Sequence, residues 1–112
     1  MQLETYPVEE NQLTEFKARI SQGESLKIEY LSDTLSSSGV TGCDKNRCIQ
    51  LRNGLIDQLR KTTEERYGKE NTLHAGCTQM YWQVSKWQDD WPDRRRHCES
   101  RVSLTVYAVA KI

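Results

Sequence analysis

The chain has no long hydrophobic run, no excess charge of either sign and none of the short motifs that mark common chemistries. Each absence removes a class of function. No apolar stretch approaches the roughly 20 residues a membrane-spanning helix needs, so no membrane span is expected. The opening Met-Gln-Leu-Glu-Thr-Tyr-Pro has neither the basic start nor the apolar core of a signal peptide, which argues against export where Met1 is the natural start. Sixteen Lys and Arg cancel sixteen Asp and Glu, so no overall field would hold nucleic acid or an anionic membrane. GxSxG, P-loop, HExxH and dinucleotide-type glycine patterns are missing. No internal repeat or domain boundary interrupts the sequence.

What remains is a chain of 112 residues, 36% hydrophobic and 29% charged, with a mean hydropathy of -0.81, as expected of one soluble domain with a single core. Its most informative feature is four cysteines: Cys43, Cys48, Cys77 and Cys98. An even count in a small polar domain fits a disulfide-stapled extracytoplasmic protein, because a small core gains from a cross-link. The alternatives are reduced structural thiols and a zinc site. Cys43-x4-Cys48 and His74-x2-Cys77 would supply four ligands, with His97-Cys98 in reserve, but there is no second CxxC pair. The expectation is a disulfide, with no metal and no cofactor.

Periodicity suggests an α+β fold. Leu13, Phe16 and Ile20 recur at helical spacing within residues 9–22, and Gly23 follows as a C-terminal cap. Residues 25–31 alternate, with Leu26, Ile28 and Tyr30 opposite Lys27 and Glu29, as a half-buried strand does. The small polar stretch 32–42 reads as a surface loop. Residues 44–67 form the longest expected helix, with Cys48, Leu51, Leu55 and Leu59 in one stripe that Ile49 and Ile56 widen. Its outer face carries oppositely charged pairs at four-residue spacing, the mark of a solvated surface. Asn53-Gly54 is a point where this helix would kink or begin. Met80, Trp82 and Val84 then alternate with Tyr81, Gln83 and Ser85, and Val102 to Ala110 alternates again, which predicts an antiparallel hairpin. The expected fold is therefore one long helix and a short N-terminal helix packed on a small, mostly antiparallel sheet of about three strands.

In that order of elements, a rising strand, a descending crossover helix and a second rising strand place Cys77 at the bottom of the sheet. Cys98 would start the descending strand near the top, beside the helix start. The expected disulfide joins Cys98 to Cys43 or Cys48, since a bridge needs alpha carbons within roughly 7 Å.

Function concentrates in residues 81–97. The segment holds Trp82, Trp87 and Trp91, the acidic Asp89, Asp90 and Asp93, and the run Arg94-Arg95-Arg96. Trp and Arg dominate binding hot spots through contact area and fork-shaped hydrogen bonding. The candidate binding residues are Trp87, Asp89, Asp90, Trp91, Arg94, Arg95 and Arg96. Set against a purely structural role for these side chains, Trp91 beside Pro92 is the hardest to place in a core. Three nearby aspartates make the arginines a poor phosphate groove, so no nucleic-acid partner is expected. His74 and His97 each lie close to a cysteine, yet nothing else builds a catalytic pair. The sequence therefore suggests a non-enzymatic protein-binding module of inhibitor, immunity or secretion-accessory type, periplasmic or secreted. The alternatives are a cytoplasmic adaptor or regulator with reduced thiols or a structural zinc, and then a small Cys-dependent enzyme. Oligomeric state is not legible.

Overall fold

The computed structural model describes residues 2–5, 10–39, 45–88 and 96–112. In chain order the elements are β1 (Gln2–Thr5), α1 (Glu10–Ser21), β2 (Leu26–Gly39), α2 (Lys45–Tyr67), a short 3-10 turn (Lys69–Asn71), β3 (Thr72–Gln88) and β4 (Arg96–Lys111). The fold is α+β, with two helices packed on three long antiparallel strands and the four-residue β1 added at one edge. Strand order is β1-β3-β4-β2, and every neighbouring pair is antiparallel. β2 and β3 therefore run in the same direction with β4 between them, and α2 supplies the crossover that parallel strands need.

The two helices lie on opposite faces, because alternate residues of a strand point to opposite sides. On one face, Cys48, Leu55 and Leu59 of α2 cluster with Met80, Trp82 and Val84 of β3 and with Val102, Leu104, Val106 and Ala108 of β4. On the other, Leu13 of α1, with Phe16 and Ile20 beside it, packs on Leu26, Ile28, Tyr107 and Val109. The stripe expected on α2 is present, with Leu51 only half-buried. Asn53-Gly54 neither breaks nor starts the helix: α2 is continuous, and Gly54 faces solvent, where a missing side chain removes no packing. Gly23 adopts φ +96° just past α1, the left-handed cap the sequence implied.

Two expectations need correction. Residues 32–39 are not loop: β2 continues to Gly39, paired with β4 from Ser32↔Thr105 to Gly39↔Cys98. β3 starts at Thr72 rather than near Met80, through a run with no clean alternation because the pairing register shifts between Thr72 and His74 and again between Cys77 and Gln79. Each shift adds a residue to β3 and reverses which side chains face which helix.

Candidate functional site

Of the residues expected to bind a partner, Trp87 and Arg96 lie in strands, at the register pairs Trp87↔His97 and Gln88↔Arg96 that end the described hairpin. Asp89, Asp90, Trp91, Arg94 and Arg95 lie outside the described residues. β3 has 17 residues and β4 has 16. At about 3.3 Å per residue β3 is on the order of 56 Å long, against about 35 Å for the 23 residues of α2 at 1.5 Å each. The hairpin thus outruns the helix that backs it, and the chain measures 64 Å along its longest axis.

The structure also reveals a surface that the sequence left unassigned. α1 covers only the end of its sheet face that holds Leu26, Ile28, Tyr107 and Val109. Further along the same face, Ser32 and Thr34 of β2, Ser103 and Thr105 of β4, and Gln79 and Tyr81 of β3 line a shallow groove of about 510 Å³. Their polar groups meet one another: Ser32 and Thr105 hydroxyls lie 2.8 Å apart, Thr34 and Ser103 hydroxyls 3.4 Å apart, and the Gln79 amide donates to the Tyr81 hydroxyl. Thr78, the extra residue of the second bulge, donates its hydroxyl to the Thr105 carbonyl at 3.0 Å. This is a polar, hydrogen-bonding groove, with Asp33 also in its lining. Its signal in the sequence is the polar half of two alternations, Tyr81–Gln83–Ser85 in β3 and Ser103–Thr105 in β4; the third strand of this face, β2 from Ser32, has the composition of a loop.

A second polar cluster joins α2 to β2. Tyr67 donates its hydroxyl to Glu29 Oε1 at 2.7 Å and Arg66 Nη1 donates to the same oxygen at 3.1 Å, with Lys27 Nζ at 3.9 Å. The Tyr67 hydrogen bond, with the Lys27 and Arg66 charges, holds the Glu29 carboxyl below its ordinary range against the opposing effect of burial. On the α1 face, His74 Nε2 and the buried Tyr107 hydroxyl share a 3.0 Å hydrogen bond, Phe16 stacks on His74, and the Arg19 guanidinium lies 5.3 Å from the Phe16 ring centroid.

The cysteines are now placed. Cys48 and Cys77 are buried in the apolar cluster under α2, where a sulfur behaves as a small hydrophobe. Cys77 pairs in register with Val106 and Cys98 with Lys86, so eight residues of β4, about 27 Å, separate Cys77 from Cys98 and forbid a bridge between them. Among the described residues no disulfide is seen, and Cys43 lies outside them. The four ligands of the alternative zinc reading are not brought together among the described residues. His74 faces α1 and Cys77 faces α2, on opposite sides of the sheet, and the described residues hold no group of three metal-ligating side chains. The same separation dismantles a His74–Cys77 catalytic pair. Among the described residues no helix is long and apolar enough to cross a membrane. Comparison with protein-family models, curated proteins and solved structures finds no match for the chain.

Proposed function

We propose that the chain is a non-enzymatic protein-binding module of the inhibitor, immunity or secretion-accessory kind, and that it makes contact with its partner through the far end of the β3–β4 hairpin. The observation that carries this reading is the length of that hairpin relative to α2. The paired strands run out to Trp87 and Arg96, and the chain between them contributes Asp89, Asp90, Trp91, Arg94 and Arg95. A segment that carries tryptophan and arginine together with both charge signs suits a protein partner better than a polyphosphate. In this reading the protein works in the periplasm or outside the cell, with Cys98 joined to Cys43 or Cys48. The alternative reading is a cytoplasmic adaptor or regulator with reduced thiols or a structural zinc. Intact mass of the non-reduced protein separates the two: a deficit of about two mass units supports the first, and four alkylatable thiols the second.

The binding test uses a partner cross-linked to the full chain in extract of its source. Alanine at Trp91 and at Arg95 should each weaken that complex by more than about 1 kcal/mol while leaving the circular dichroism unchanged. Lost folding with unchanged affinity per folded molecule would overturn the assignment.

A further inference from the structure

We infer that β2 is a self-association edge: two copies of the chain pair their β2 strands antiparallel across a two-fold axis through Tyr30, making one continuous eight-stranded sheet. The proposal is independent of the hairpin reading. β2 ends the sheet, and among the described residues no strand pairs with its outer side, whereas β1 occupies part of the opposite edge at residues 81–84 of β3. A 14-residue strand with one open edge presents a row of backbone donors and acceptors to another strand. α2 lies mainly over β4 and β3 and reaches β2 from the face of the sheet, at Glu29, rather than alongside its outer edge.

Charge selects the partner and the register. A two-fold axis normal to the sheet keeps each helix on its own face, and it sets opposite one another residues that point to the same side. With Tyr30 on the axis, residues 26–34 pair, and Lys27 of each copy stands opposite Asp33 of the other, giving two ion pairs. Tyr30, 50% exposed and the largest apolar side chain open on this strand, then meets its own copy. An axis at Glu29 or Asp33 would set two identical carboxylates face to face, and one at Leu31 would oppose Glu29 to Asp33. An axis at Ile28 would pair only residues 26–30, and one at Ser32 would set Asp33 against Leu31. The charges therefore disfavour slipped pairings while completing one, which is how a specific edge differs from an aggregation-prone one. Lys27 and Asp33 are both exposed; Lys27 lies 3.9 Å from Glu29, whose oxygen Tyr67 and Arg66 hold at shorter range, and Asp33 Oδ1 accepts from the Thr34 amide, so the cross-strand pairing exchanges the long Lys27–Glu29 contact for Asp33 of the other copy.

Light scattering and sedimentation of the full chain at rising concentration test this. The expected result is a reversible shift from 13.1 kDa to twice that mass. K27E and D33K should each weaken the dimer about tenfold by turning two attractions into repulsions, and the K27E/D33K double variant should restore it. Circular dichroism checks that each variant folds. Y30K, at an exposed site, provides a second disruption by placing two like charges on the axis. A monomer at every concentration, a dimer indifferent to the single substitutions, or a double variant no better than its parents would overturn the proposal.

Discussion

Tyr67→Phe removes one hydroxyl and tests whether the Glu29 cluster fastens the end of α2 to the sheet. The phenol donates to Glu29 Oε1 at 2.7 Å, and the Glu29 side chain is only 20% exposed, so water replaces the lost bond poorly. A hydrogen bond to a charged group contributes roughly 1.5–3 kcal/mol. Because Arg66 still donates to the same oxygen, the expected loss lies at the low end, about 1–2 kcal/mol. That corresponds to a fall in melting temperature of about 4–8 °C. The pH dependence fixes the sign. The folded pKa of Glu29 is depressed, so its contribution is complete above the ordinary carboxylate range and disappears as pH falls through the folded value. Thermal unfolding of wild type, Y67F, E29Q and the double variant at neutral pH, and of the first two down to acid, is the assay. The expected coupling between Tyr67 and Glu29 is about 1 kcal/mol at neutral pH, and the gap between wild type and Y67F should close in acid. Additive effects, or a gap that does not change with pH, would refute the reasoning.

Two glycines make opposite predictions. Gly54→Ala should stabilise the protein by about 1 kcal/mol, because the site lies inside α2 and an added Cβ meets no atom within 4 Å; chemical denaturation would show a raised midpoint at unchanged slope. Gly68→Ala should destabilise by about 1 kcal/mol or more, since Gly68 has φ +97° and an added Cβ would lie 2.7 Å from Glu70 Oε1. The same denaturation experiment reads it, and a neutral result would mean that the turn after α2 relaxes freely.

The sequence by itself determined the class of fold, since side-chain periodicity is a local property. The apolar stripe at Cys48, Leu55 and Leu59 and the alternation of Met80, Trp82 and Val84 mark buried faces whatever lies opposite them. Tertiary pairing decided the rest. Ser32 to Gly39 has the composition of a loop, yet it is a strand because β4 satisfies its backbone and Thr105 and Ser103 meet its hydroxyls, a stabilisation that no local propensity encodes. The bulge at Thr78 was equally hidden, and it resets which residues of β3 face α2 beyond Cys77; His74 and Cys77, three residues apart on unbroken strand, fall on opposite sides of the sheet by alternation alone. The polar groove depends on where α1 stops, and the open edge depends on β4 taking the place between β2 and β3. Spacing along a chain records which side chains share a face. Which faces are covered, and which edges are left unpaired, is settled only when distant strands meet.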